Sequence, residues 1–403
     1  MIQPEDIVIL KKSGEQAFSG ADTSPIGLQL RRMIGDALEI RASDLHLEPD
    51  GNRVRVRARV DGFLRDVAHL DKETGTRLVS AIKVLCDLDI AGKNPLQDGS
   101  FTASVKGRAV EMRVSTLEEI GGEKLAIRIL EAESATTDLT KLGLTPRGEN
   151  DLRAFLARSQ GMLVVSGPTG SGKSTTLHCM LRAVDRKRRN VIAIEDPVET
   201  RLEYVTHVAV NAAAGLTFAG ALRNALRQDP NVLMIGEIRD SETASIALQS
   251  GLTGHLVLST VHSRDALGTV TRLSDLGVEP HLIADVLNFA LAQRLVRVLC
   301  KRCRKPVHEH EYKDHPLRSF IKAQIYTAGR CQDCGGSGYK GRIGVFELVR
   351  MTDRLRPLVA GRAPEAELRK AAQADGSVPI LFAALERVNE GITSLDEVER
   401  VIG

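Results

Sequence analysis

GPTGSGKST occupies residues 167–175, directly after the apolar run MLVVS at 162–166 and directly before the helix-forming stretch TLHCMLRA. A buried strand, a glycine-rich loop and a helix in that order form the context in which a Walker A loop binds phosphate. Gly167 and Gly172 let successive backbone N–H groups converge, and the helix N-terminus adds positive potential. The binding candidates are Gly167, Pro168, Thr169, Gly170, Ser171, Gly172, Lys173, Ser174 and Thr175. Lys173 is expected to reach the β- and γ-phosphates and Ser174 to ligate Mg²⁺. The loop by itself says only that a nucleotide binds.

Working outward, VIAIE, VLMIG and HLVLST are further short, continuous apolar runs separated by helical stretches. Such runs read as parallel strands buried on both faces. IEDPVE (194–199) and LMIGEIRD (233–240) then bring Glu195, Asp196, Glu199 and Glu237 to the C-terminal edge of the sheet, where open α/β sheets bind ligands. Carboxylates there can hold Mg²⁺ and its waters or orient an attacking water. The alternative is that some cap helices or pair with Arg201, Arg227 and Arg239. HLVLSTVHS delivers His262 to the same edge, where a sensor role competes with that of an ordinary polar residue.

Upstream, residues 1–24 are polar and aperiodic and read as a mobile lead-in. Ser24-Pro25 then caps a helix with Leu30, Met33, Ile34, Ala37 and Leu38 at helical spacing. RVRVRARV (53–60) alternates valine or alanine with arginine, a strand with one buried face, and a helix with Leu78, Ile82 and Leu85 follows. SFTASV and RAVEMRVS flank Lys106-Gly107 as a hairpin, KLAIRIL adds a strand, and residues 132–150 read as a linker into a short entry segment.

Cys300, Cys303, Cys331 and Cys334 form two CxxC pairs, CKRC and CQDC, suited to a tetrahedral Zn²⁺ site with no open position. Cys86 and Cys179 sit among apolar neighbours and read as inert buried thiols. The 403 residues carry a net charge of +3 with 3% aromatics and no Trp, which argues against a nucleic-acid channel built from stacking rings. No run reaches the length of a membrane span and the N-terminus lacks signal-peptide order, so a cytoplasmic protein is expected. The basic run at 186–189 reads as a solvated loop, with an acidic-lipid contact as its alternative use.

Together, GPTGSGKST, IEDPVE, LRQDPNVLMIGEIRD and GHLVLSTVHSRDA resemble the Walker A, Asp, Walker B and His boxes of the type II secretion and type IV pilus assembly ATPase family. ASDLHLEP, RVDG, QDGSF and MRVSTL before GEKLAIRIL are similar to the second N-terminal domain of that family, and the resemblance spans residues 26 to 403. It implies a small α/β domain (25–135), a RecA-like P-loop core (136–299), a four-cysteine zinc module (300–346) and a helical C-terminal region (347–403). It implies ATP, Mg²⁺ and structural Zn²⁺, with Glu199 as the base orienting water, Glu237 on Mg²⁺ and His262 sensing the γ-phosphate. Arg113 and Arg128 match arginines that reach the nucleotide when the domains close. The partners implied are five more copies in a homo-hexamer and an inner-membrane platform protein, with the chain held peripherally at that membrane and no obligatory nucleic acid. Two departures stand out: no segment resembles the first N-terminal domain through which many members dock, and VHSRDA replaces the common Leu-His-Thr-Asn. The four cysteines favour secretion or assembly over pilus retraction, and the few aromatics disfavour a RecA-like nucleic-acid translocase.

Overall fold

Alternation in RVRVRARV organises the first of the two large sheets. The computed structural model describes residues 2–91, 96–131, 138–211 and 214–403, and the chain divides into two units, 1–133 and 134–403. Residues 132–137 of the expected linker lie outside the described residues.

The first unit contains β1 (Ile7–Leu10), β2 (Gln16–Phe18), β3 (Ala42–Asp50), β4 (Arg53–Val60), β5 (Phe63–Asp71), β6 (Leu96–Val105), β7 (Arg108–Glu119) and β8 (Gly122–Glu131). They form one sheet in the order β2-β1-β6-β7-β8-β3-β4-β5, antiparallel at every pairing. Val54, Val56, Ala58 and Val60 are buried with the apolar stripes of α1 (Pro25–Glu39) and α2 (Lys72–Leu85), while the alternating arginines face outward. Ser24 caps α1 by accepting the Gly27 N–H at 3.2 Å, and Pro25 takes the first helical position. Lys106-Gly107 closes the β6–β7 hairpin as expected.

The mobile lead-in expected over 1–24 is instead ordered over its described residues, 2–24. β1 pairs with β6 about a hundred positions away in the chain, and Ile7 and Ile9 are wholly buried. The buried Arg31 guanidinium donates to Pro4 O at 3.1 Å, Gly20 O at 2.7 Å and Asp22 O, fastening the segment to α1. A four-residue strand shows little period, and its partner is remote, so local pattern could not reveal it.

The second unit begins with α3 (Pro146–Leu156), then β9 (Gly161–Ser166), α4 (Lys173–Ala183), β10 (Val191–Glu195), β11 (Thr206–Ala209), α5 (Phe218–Ala225), β12 (Val232–Ile235), α6 (Ser241–Leu252) and β13 (Leu256–Val261). It continues through α7 (Gly268–Asp275), α8 (Pro280–Val286) and β14 (Leu287–Leu299) to a small pair, β15 (Lys305–Pro306) and β16 (Tyr326–Thr327), and then β17 (Tyr339–Arg350). Four helices finish the chain: α9 (Leu355–Ala360), α10 (Glu365–Ala374), α11 (Ile380–Asn389) and α12 (Leu395–Ile402). The large sheet runs β11-β10-β12-β13-β9-β14-β17, parallel except for β17. Alternate residues of its strands enter two separate cores, Met162 and Val164 one and Leu163 and Val165 the other. Both faces are covered, which is why these strands read as unbroken apolar runs. Of Leu381, Ala384, Leu385 and Val388, which share a helical spacing, the last three bury the inner face of α11 and Leu381 packs half-buried against the same core.

Candidate active site

β9 lies between β13 and β14, so the loop after it opens at the middle of the C-terminal edge. Gly167 and Gly172 have φ of 151° and 88°. A Cβ on Gly167 would meet Gln293 O at 2.6 Å, and one on Gly172 would meet Gln293 Nε2 at 2.8 Å, so only glycine fits at either place. Lys173 Nζ donates to Gly167 O at 2.9 Å and Pro168 O at 3.0 Å, folding the ammonium over the loop. Burial lowers the Lys173 pKa while the Glu237 charge opposes that shift. The buried Ser171 hydroxyl finds no hydrogen-bond partner among the described residues. An orphaned hydroxyl inside a glycine cradle, under an ammonium, fits a phosphate chain.

The loop after β12 is pinned to the end of β13. Thr260 Oγ1 donates to Gly236 O at 2.7 Å, and Ile238 N donates to Thr260 O at 2.9 Å. This brings Glu237 beside His262, with Nε2 3.6 Å from Oε2, and Glu237 also pairs with Arg239. Lys173, Glu237 and His262 thus share one corner. Glu199 stands exposed beyond β10 with no hydrogen bond or ion pair among the described residues. Ser174 is exposed in the first turn of α4, and Asp196 is exposed just past β10.

Glu195, weighed in the sequence as a site carboxylate, is instead buried between two imidazoles. Its Oε2 lies 2.8 Å from His178 Nε2 and its Oε1 2.8 Å from His207 Nδ1, while His207 Nε2 accepts the Leu202 N–H at 2.9 Å. Burial pushes its pKa up, but the two imidazole hydrogen bonds win and hold it below the ordinary value. Its work is to staple β10 to α4 through His178 and to β11 through His207. Glu195→Ala, which removes the carboxylate from both rings, should cost about 3 kcal/mol and lower the melting midpoint of the second unit, read by calorimetry.

In the first unit, Arg113 and Arg128 are cross-strand neighbours on β7 and β8. Arg128 Nε lies 3.1 Å from Asp44 Oδ1 and Arg113 Nε 3.2 Å from Glu111 Oε1. Arg128 stays 68% exposed, so its guanidinium can exchange that partner for another.

The four cysteines converge. Cys300 and Cys331 Sγ are 3.8 Å apart, Cys303 and Cys334 3.8 Å, and Cys331 and Cys334 3.7 Å. Four sulfurs at about 2.3 Å from a central zinc stand about 3.8 Å from one another, so the spacing fits Zn²⁺ and is far too long for disulfides. Cys86 and Cys179 are buried, and burial pushes their thiols up to about 12 and about 11, consistent with inert packing residues. The basic run is partly engaged: Arg189 donates to Leu156 O at 2.7 Å and Arg158 O at 2.8 Å, and Arg186 to Glu203 O at 2.8 Å.

Sequence reasoning missed Gln293. It is 2% exposed, its carbonyl oxygen crowds Gly167, and its Oε1 accepts from Thr176 Oγ1 at 2.8 Å. The available signal was the Gln-Arg pair inside the apolar run LNFALAQRLVRVL.

Residues 19–400 match the family described as "Type II/IV secretion system protein". The chain is 42% identical over 390 residues to the "Type II secretion system ATPase E" of Vibrio cholerae serotype O1, covering 96% of this chain and 77% of that one. It is 39% identical to the "Type IV pilus assembly ATPase PilB" of Acinetobacter baylyi, covering 94% and 67%. Among solved structures it resembles the pilus retraction motor PilT with bound ADP, with a TM-score of 0.64, 25% identity and 92% and 95% coverage. The fold is also that of the Legionella pneumophila ATPase DotB, with a TM-score of 0.67, 21% identity and 92% and 94% coverage.

Proposed function

Because this chain belongs to the type II/IV secretion system protein family and is an ATPase of the secretion and pilus class, we propose that six copies form a ring at the inner membrane that drives protein secretion or pilus assembly. The observation that carries this reading is the corner shared by the phosphate cradle, Lys173, Glu237 and His262. The cradle and Lys173 bind the triphosphate. Ser174 and Glu237 hold Mg²⁺, which neutralises charge on the phosphates when bound. Glu199 orients the attacking water, His262 reports the γ-phosphate, and Arg113 and Arg128 answer the negative charge that develops during transfer. The four cysteines hold structural Zn²⁺. A platform protein in that membrane receives the force; among the described residues no helix is long and apolar enough to cross a membrane.

Arg113→Ala and Arg128→Ala should each lower kcat at least about tenfold with little change in ATP affinity, the mark of a contact made in the transition state. Equal losses in both would mean ground-state binding. The resemblance implies closure of each small domain over the nucleotide of its own chain. Mixing Lys173→Ala with Arg128→Ala subunits tests this: recovered turnover means the arginine comes from a neighbour, and we expect none.

A further inference from the structure

The segment after β13, Ser263-Arg264-Asp265, is bonded on three sides. Asp265 O accepts from Ser166 Oγ at 3.3 Å, and Ser166 is the last residue before the phosphate loop. Arg294 Nη2 donates to Arg264 O at 2.7 Å and Arg294 Nη1 to Gln293 O at 3.0 Å, with Nη1 3.3 Å from the place a Cβ on Gly167 would take. The third bond comes from outside the sheet: Asp265 Oδ2 accepts from Arg369 Nη2 of α10 at 2.8 Å, while Oδ1 accepts the Gly268 N–H at 2.8 Å. Both carboxylate oxygens are therefore committed, one to local capping and one to a helix about a hundred residues further along.

A buried acid backs this tie. Glu347 on β17 is 3% exposed and accepts the Ile380 N–H at the start of α11 at 3.2 Å. Burial, and after it the Asp265 charge, push it up to about 7, while Arg369 and Arg294 pull the other way. Asp265 is thus tied to Arg369 by an ion pair, and Glu347 and Arg294 lie close enough behind the phosphate loop for their charges to act on that pair. An isolated surface ion pair contributes little to stability, and Arg369 also has Glu365 on its own helix as a partner. Holding α10 on the core does not by itself account for the link to Asp265, three residues beyond His262.

We propose that Arg369 is a positioning residue for hydrolysis: through Asp265 it holds the segment carrying His262 against the phosphate loop, so the C-terminal helices set the turnover of the site. This rests on the ATPase reading above. A discrete hydrogen-bonded element with partners in both regions is the kind of connection through which coupling travels.

The test compares wild type, Arg369→Ala, Arg369→Lys and Asp265→Asn on the full chain. Arg369→Ala should lower kcat about tenfold with KM for ATP and the melting midpoint unchanged. Arg369→Lys, which keeps a charged donor, should recover most of that loss. Asp265→Asn combined with Arg369→Ala should be no worse than Asp265→Asn alone. Without nucleotide, amide exchange should rise at 263–268 in Arg369→Ala and stay unchanged in β14. Unchanged kcat, or a loss that Lys does not recover and that follows the melting midpoint, overturns the proposal. Wild-type turnover unaffected by Lys173→Ala would instead overturn the ATPase reading, and the exchange result still decides whether Arg369 orders the segment.

Discussion

Replacing Glu199 with Gln is expected to leave ATP binding at its wild-type strength and to remove about a hundredfold or more of turnover. The amide keeps the shape of the side chain and loses the acceptor that orients water, and a positioned base contributes about 10²- to 10⁴-fold. Single-turnover hydrolysis beside equilibrium binding of a fluorescent ATP analogue separates the two quantities. Glu199 stands exposed with no partner among the described residues, while Glu237 is 14% exposed and close to His262. The experiment therefore has two informative results. Near-normal turnover in Glu199→Gln would move the base to Glu237, which this geometry already places at the cradle. Lys173→Ala provides the contrast, because it deletes a direct phosphate contact. It should weaken binding by about 2 kcal/mol as well as stopping turnover, and unchanged affinity would contradict its assignment.

What could be read from the sequence followed how local the cause was. The phosphate loop depends on nine consecutive residues, and its glycines, helix and lysine stand in the structure as the spacing predicts. RVRVRARV and the runs of the parallel sheet were equally legible, because a strand buried on one face alternates and a strand buried on two does not. Glu195 was ambiguous for a definite reason. A carboxylate at a strand end looks the same in sequence whether it meets Mg²⁺ or two histidines, and His178 and His207 lie 17 and 12 residues away with no motif to join them. β1 and the Asp265–Arg369 tie were hidden because each needs a partner about a hundred residues distant. The cysteines are the opposite case: their partners are also distant, yet thiolate chemistry narrows the choice so far that pairing was readable without the fold.

Removing zinc should loosen residues 300–338 before it disturbs the phosphate site. Zinc bound by four thiolates contributes on the order of 10 kcal/mol of apparent free energy at pH 7, and that free energy is folding free energy for a segment with little core of its own. The segment has only the two-residue pair of β15 with β16 and short turns such as Cys303 N to Cys300 O at 3.1 Å and Gly336 N to Cys331 O at 2.9 Å. Its anchors to the rest of the second unit include Arg304 Nη1 to Gly391 O at 2.6 Å, Lys322 N to Asn389 Oδ1 at 2.8 Å and Asn389 Nδ2 to Phe320 O at 3.0 Å, with Ile321 and Ile325 buried in the main core, and just past its end the Tyr339 hydroxyl lies 2.7 Å from Ser394 Oγ. Metal analysis should find one zinc per chain, lost in Cys331→Ser. In that variant, amide exchange and protease cleavage should rise first within 300–338, then near Gly391 and Ser394, where the anchors end. ADP affinity should hold, because Lys173 and the cradle rest on β9 and β14 rather than on the cysteine knuckles. Zinc-free protein with an unaltered melting profile and exchange pattern would sink the structural role, and a fall in ADP affinity that precedes local loosening would place the metal's influence at the active site instead.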